Sequence, residues 1–266
     1  IDASKIEKEI TKKTKVIIPV HLYGQICDMD KIIKIAKLYK LKIIEDCAQS
    51  QGAKYKNRFC GTLGKLGCFS FYPTKILGAY GDGGFITTND YNLYKKAKRI
   101  RFYGIETIDK KNKFLNKYYS NEDGINSRLD EIQASILSFK LSIIEKFISR
   151  RRQLARLYFK KLKSTDLILP KLNGYSDHVY HLFTVYHPKR EKIIKELRKN
   201  FIETKIIYPY PIHKMKPYKV FFKNQKRLKN SEIKAKGIFC LPIYPELKNS
   251  EVIKICEKIK KILKVD

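Results

Sequence analysis

VIIPVHLYGQICDMDKIIKIAKLYKLKIIEDCA, residues 16–48, is the stretch that decides the fold. Its first part, within TKVIIPVHLYG, is β-rich, and its last, LKIIEDCA, reads as a second, buried strand. Between them Asp28 is placed to cap a helix whose Ile32, Ile33, Ile35, Ala36 and Leu38 make a broad apolar face. Strand, helix, strand in that order implies a right-handed parallel crossover. Working outward, GCFSFYP (67–73) and GGFITTN (83–89) read as further strands, so the sheet is expected to be at least four strands wide. Upstream, Ser4 to Ile10 reads as a short helix. Downstream, a helix runs from Asp90 to about Arg101, followed by a polar loop with Asn112, Asn116, Asn121 and Gly124. A long helical pattern then starts near Ser127, with Leu129, Ile132, Leu137, Leu141, Ile144 and Ile148 in phase, and passes Arg150. After Pro170 the pattern changes to VYHLFTVY (strand), REKIIKELRKN (helix), ETKIIY (strand), and SEIKAKGIFC and SEVIKICEKIKKILK (helices). The expectation is an α/β domain over 1–165 ending in a linking helix, and a smaller α+β domain over 166–266.

The 266 residues, 43% of them hydrophobic and free of low-complexity tracts, suffice for a substantial core. No apolar run approaches the ~20 residues needed to cross a bilayer, and residues 1–15 lack a secretory apolar region, which places the chain in the cytoplasm. Six cysteines stand at irregular separations without a zinc-like arrangement and read as reduced, buried thiols, with no metal implied. The 57 Lys+Arg against 26 Asp+Glu give a net +31, which raises nucleic acid as a partner. Against that, lysine is spread over nearly every segment alongside abundant isoleucine, tyrosine and asparagine, and no nucleic-acid motif accompanies it.

Lys75 lies in SFYPTKILGAYGDGG, where a strand ends, Pro73 breaks the ladder and glycines permit tight turns. A lysine there projects from a strand end toward a crevice. In a lysine-rich chain its position alone says little. Asp46 says more, because it closes the otherwise apolar KIIED strand and so brings a carboxylate to the carboxyl-end crevice of an open α/β sheet. A pyridinium nitrogen is one partner such a charge can take, and a turn-capping role is the other reading. Ser70, five residues before Lys75, has a hydroxyl to offer an anion. GDGG (81–84) precedes a strand instead of a helix, so it reads as a chain reversal and not as a phosphate loop.

The segments VIIPVHLYGQICDMDKI, KIIEDCAQSQGAKYKNRFCGTLG, CFSFYPTKILGAYGDGGFITTND and GINSRLDEIQASIL resemble, in order and spacing, the DegT/DnrJ/EryC1/StrS sugar aminotransferases. IIYPYPIHKMKPY and IFCLPIYPEL extend the resemblance to the C-terminal part. It implies a fold-type-I pyridoxal-phosphate enzyme that converts a nucleotide-linked keto-deoxysugar to an amino sugar, 3-amino or 4-amino, for a polysaccharide or glycoside. Lys75 matches the family's cofactor-holding lysine, Asp46 the partner of the pyridine nitrogen, Gln49 the contact near the phenolic oxygen, and Ser70 a phosphate ligand. Asn126 matches an asparagine that reaches a neighbouring subunit's cofactor phosphate, with Arg128 beside it, which implies a homodimer with shared active sites. Tyr208 and His213 match the segment that approaches the sugar nucleotide. Glutamate is the expected amino donor. Related dehydratases carry histidine where Lys75 stands, so Lys75 argues for amino transfer.

The resemblance begins partway into the family's large domain, without its cofactor-phosphate turn and its ring-stacking aromatic. The expectation is an N-terminally truncated chain with exposed sheet edges, an uncovered apolar face, weak cofactor retention and little activity by itself. A noncatalytic remnant and, further off, a basic nucleic-acid-binding protein are the competing readings.

Overall fold

The computed structural model describes residues 1–105, 118–222 and 228–264. Asn112 and Asn116 of the polar loop lie outside these. The chain forms two compact units, residues 1–145 with 174–178, and 146–173 with 179–266. The boundary read from the sequence, near 165, falls inside the second unit by this division.

In the first unit, strands β1 (Val16–Ile17), β2 (Lys42–Asp46), β5 (Leu66–Ser70) and β6 (Gly84–Thr87) form a sheet in the order β1-β2-β5-β6. The β1–β2 and β2–β5 pairings are parallel, and β5–β6 is antiparallel. A hairpin of β3 (Lys54–Tyr55) and β4 (Arg58–Phe59), not anticipated from the sequence, lies between β2 and β5 in the chain. Helix α1 (Met29–Leu38) buries Met29, Ile32 and Ala36, an i, i+3, i+7 stripe, and Asp28 caps it by accepting the Lys31 amide at 3.4 Å. Helix α2 (Tyr91–Ile100) is capped by Asp90, which accepts the Asn92 and Leu93 amides. GDGG reverses the chain, with the Gly83 carbonyl accepting the Phe71 amide at 2.8 Å.

Several elements differ from expectation. Residues 3–9 form two short 3-10 turns instead of one helix. The long helical stretch is divided into α3 (Glu131–Ser142) and α4 (Ile144–Leu162) by the single non-helical residue Ile143 (φ −116°, ψ 8°). Apolar periodicity carries across that break, so the sequence reads one helix. In the second unit, ETKIIY makes only an isolated bridge, Lys205 with Cys240, ahead of Pro209 and Pro211.

That unit packs α4, α5 (Arg190–Lys199) and α7 (Asn249–Leu263) with an antiparallel pair, β7 (Phe183–Tyr186) and β8 (Ile238–Leu241), around Leu154, Tyr158, Phe183, Leu197, Phe239 and Ile259. The expected helix SEIKAKGIFC ends at Gly237, the last residue of α6 (Lys229–Gly237), and its IFC becomes β8. A Cβ on Gly237 would stand 2.5 Å from the Tyr186 ring, so the close approach of the two strands requires glycine. All four β8 residues are buried, and an unbroken apolar run does not distinguish strand from helix.

The first unit exposes Phe85 and Ile86 of β6. Phe69, Phe71, Phe85, Leu129, Leu137 and Leu141 line an apolar groove of about 520 Å³ within it. Among the described residues no helix is long and apolar enough to cross a membrane.

Candidate active site

The site is organised by the carboxyl end of β2. Alternation along KIIED turns Glu45 and Asp46 to opposite faces, and the two carboxylates meet different surroundings. Asp46 pairs with Cys68 of β5 in parallel register, so the ends of the two strands are aligned. Its Oδ1 accepts the Ala48 amide at 3.0 Å, and its backbone receives the Val20 segment through His21 N–H. No second hydrogen bond to the carboxylate is made among the described residues.

Lys75 follows β5, in the turn after Pro73, where its amide donates to the Tyr72 carbonyl at 2.9 Å. The side chain is half-buried between Thr74 and the buried run 76–79. Burial pushes the Lys75 amine below its ordinary value, with the charge of Asp46 pulling the other way. The amine makes no ion pair among the described residues, although a carboxylate lies within its electrostatic reach. Gly78, at the end of the turn, has no room for a side chain, since a Cβ would stand 2.4 Å from the Pro73 carbonyl oxygen.

Gln49 is buried just past Asp46, and its Oε1 accepts the Tyr23 amide at 2.8 Å. Tyr23 adopts φ +60° to present that amide. Ser70 ends β5, where its Oγ accepts the Tyr72 amide at 3.3 Å and its carbonyl takes the Gln51 side-chain amide at 2.7 Å. Asp46, Gln49, Ser70 and Lys75 thus stand together at the β2 and β5 ends of one unit.

The remaining sequence candidates belong to other segments of the chain. Asn126 and Arg128 are exposed on the segment before α3, where Asn126 bridges Phe102 and the Arg128 guanidinium lies 5.9 Å from the Phe102 ring centre. Arg128 shares a surface depression with Lys98 and Arg101. Tyr208 and His213 belong to the second unit. Tyr208 is exposed, whereas His213 Nε2 is paired with Glu232 at 3.2 Å and its ring lies against Phe222.

Glu45 was not singled out from the sequence. It is buried, and its oxygens accept four hydrogen bonds, from His21 Nε2 (3.0 Å) and the amides of Gly61 (2.9 Å), Leu63 (2.7 Å) and Gly64 (2.7 Å). The Cys27 amide donates to His21 Nδ1 at 3.3 Å, which leaves Nε2 to donate to Glu45 from a neutral ring. Burial alone would push the Glu45 carboxyl up, but the bonds from His21, Gly61 and Gly64 outweigh it and hold the carboxyl below the ordinary glutamate value. The signal was present in KIIED: strand alternation sends one of two adjacent acids inward, where it needs several donors, and the glycines of CGTLG supply accessible amides.

The chain matches the family model described as the DegT/DnrJ/EryC1/StrS aminotransferase family over residues 1–260. It belongs to this family. Relatives in it include the dTDP-3-amino-3,6-dideoxy-alpha-D-galactopyranose transaminase of Aneurinibacillus thermoaerophilus, 44% identical over 98% of this chain and 69% of that protein. The dTDP-3-amino-3,4,6-trideoxy-alpha-D-glucose transaminase of Micromonospora megalomicea subsp. nigra is 38% identical over 99% of this chain and 70% of its own length. The fold is shared with Streptomyces venezuelae DesV (TM-score 0.91, 34% identity, 100% of this chain and 70% of that one). It is also shared with Bacillus subtilis NtdA, solved with bound cofactor PMP (TM-score 0.86, 32% identity, 99% of this chain and 60% of that one). Membership makes the chain an α/β aminotransferase of the pyridoxal-phosphate fold class.

The DegT/DnrJ/EryC1/StrS chemistry can be tested against the donor set present. A half-buried amine shifted toward its neutral form and a carboxylate with an unused oxygen, at adjoining strand ends, suit pyridoxal phosphate at its aldehyde and ring nitrogen respectively.

Proposed function

We propose that this protein is a pyridoxal-phosphate-dependent transaminase that converts a nucleotide-linked keto-deoxysugar to an amino sugar, and that Lys75 carries the reaction. The observation that carries the reading is the half-buried Lys75 amine, unpaired among the described residues, within the electrostatic reach of Asp46 at the ends of β2 and β5.

When bound, pyridoxal phosphate supplies an aldehyde and a ring that accepts the electrons of a carbanion. Lys75 would hold it covalently through Nζ and afterwards take and return the proton that moves during amino transfer, work suited to an amine that burial makes readier to give up its proton. Asp46 orients the ring and keeps a proton on its nitrogen, using the carboxylate oxygen not engaged by Ala48. Gln49, held by Tyr23, directs its amide at the ring oxygen, and Ser70 binds the phosphate. Asn126 and Arg128 complete the site of a second copy in a homodimer, which accounts for two polar side chains left exposed on this one. Tyr208 and His213 contact the sugar nucleotide. Glutamate is the amino donor, the protein works in the cytoplasm, and the amino sugar serves a polysaccharide or glycoside. The dTDP-3-amino-sugar transaminases among the relatives favour amination at carbon 3.

The test is a panel of dTDP- and UDP-linked 3-keto and 4-keto hexoses, supplied with pyridoxal phosphate and glutamate and followed by mass spectrometry of the nucleotide sugar. Conversion of a 3-keto substrate to its amine, lost in Lys75→Ala, is expected. A protein that takes up the cofactor but aminates no sugar nucleotide would refute the substrate class.

A further inference from the structure

In the second unit, the segment from Tyr208 to Lys214 leaves its apolar residues in water and takes a polar ring out of it. Tyr208, Tyr210 and Ile212 are exposed. Pro211 leads into a 3-10 turn, Ile212–Lys214, closed by the Lys214 amide on the Pro211 carbonyl (2.9 Å) and the Met215 amide on the Ile212 carbonyl (3.0 Å). Ile212 is 64% exposed, whereas the His213 side chain is 10% exposed. The imidazole meets α6, where its Nε2 lies 3.2 Å from Glu232 Oε1, and the Phe222 ring stands 5.9 Å from it, centre to centre. Glu232, on the first turn of α6, is nearly as shielded as the ring, and the half-exposed Lys214 ammonium adds a longer contact of 3.5 Å to the same oxygen.

Packing alone does not account for this arrangement. A turn built to fill a core would bury Ile212 and leave His213 in water, and a shielded imidazole and carboxylate add less stability than apolar groups of the same volume once their desolvation is counted. What the pair fixes is the ring. An ionised carboxylate only accepts hydrogen bonds, so in the neutral imidazole the proton sits on Nε2 and Nδ1 keeps its lone pair. Nδ1 has no hydrogen-bond partner among the described residues.

We propose that Glu232 is a positioning residue, which sets the tautomer and ring angle of His213 so that Nδ1 accepts a hydrogen bond from a hydroxyl of the sugar nucleotide. The inference rests on the proposed contact of His213 with that substrate and adds its chemistry. A nitrogen held as an acceptor meets a hydroxyl of the hexose or the ribose, and not the diphosphate, whose oxygens also only accept. Glu232 does not touch the substrate and acts through the imidazole alone. Its link to Lys214, an ammonium half in water, carries little energy of its own.

Heteronuclear NMR of the nitrogen-labelled protein at mildly alkaline pH reads the tautomer, with His213→Asn identifying the ring among the five histidines. His213 should be the Nε2–H form in the parent and in Glu232→Gln, whose side-chain oxygen still accepts, and a mixture of both forms in Glu232→Ala. With the nucleotide sugar that the keto-hexose panel identifies, KM should rise about fivefold in Glu232→Ala and about tenfold in His213→Ala, while kcat and melting stay near the parent and Glu232→Gln recovers most of the affinity. Adding Glu232→Ala to His213→Ala should change nothing further. The nucleoside diphosphate without its hexose, used as a competitive inhibitor, separates the two hydroxyl sources: His213→Ala weakens it if the ribose is the donor and leaves it unchanged if the hexose is. An Nδ1–H ring in the parent, a tautomer indifferent to Glu232→Ala, or additive KM effects in the double variant would each overturn the proposal. A parent that aminates a nucleotide sugar with KM indifferent to His213→Ala refutes this inference and spares the transaminase reading, whereas a parent that aminates none refutes both.

Discussion

Glu45 and Asp46 are adjacent acids at the end of one strand, yet they sit in opposite kinds of environment. Glu45 is buried under four donors, three of which bind the 61–64 loop to the sheet, whereas the Asp46 carboxylate accepts one backbone amide and stands at the end of the strand with Lys75 in electrostatic reach. A carboxylate whose acceptor sites are filled is a structural anchor. One that keeps an oxygen unused beside a half-buried amine is equipped to meet a ligand.

The largest effect belongs to the amine that defines the Asp46 face. Lys75→Ala should lower turnover by at least about 10³-fold, because both the covalent hold on the cofactor and the proton carrier are lost, while melting stays near that of the parent. Next is Glu45→Gln, which leaves buried amide donors facing an NH₂ group and should cost on the order of 3 kcal/mol in denaturant unfolding, with turnover per folded molecule retained. Asp46→Asn should do the reverse, lowering turnover by about 10²-fold with little change in unfolding midpoint. Loss of stability in Asp46→Asn equal to that in Glu45→Gln would erase the contrast. The smallest is His21→Phe, which removes one of the four donors to Glu45 and should cost about 1.5 kcal/mol.

The acid side of the stability curve reads out the same contrast. The folded-state Glu45 carboxyl lies below its unfolded value of about 4.3, so its contribution is complete above that pH and is lost as the pH falls through the folded value. Urea unfolding followed from pH 7 downward should show this loss in the parent and a shallower acid dependence in Glu45→Gln.

The parallel β1–α1–β2 unit was legible because Ile32 and Ala36 repeat at helical spacing, Asp28 caps, and KIIED alternates. Asp46 stood out for a similar reason, as a carboxylate ending an apolar strand, whereas Lys75, one lysine among many, was marked out by the family resemblance. Other features left no local trace. The break at Ile143 interrupts no apolar stripe, and β8 is a fully buried run whose strand geometry is set by Gly237 against Tyr186. The pairing of His213 with Glu232 joins residues with no shared periodicity, and the donors to Glu45 are backbone amides, which residue types do not reveal.

The central claim is that Lys75, among the many lysines of this chain, is the one that takes the cofactor. Borohydride reduction of the protein loaded with pyridoxal phosphate, followed by peptide mass spectrometry, tests it directly. The cofactor mass should appear on the peptide containing Lys75 at one equivalent per chain, and Lys75→Ala should carry none. A reduced adduct spread over surface lysines, or fixed on another residue with Lys75 unmodified, would contradict the account.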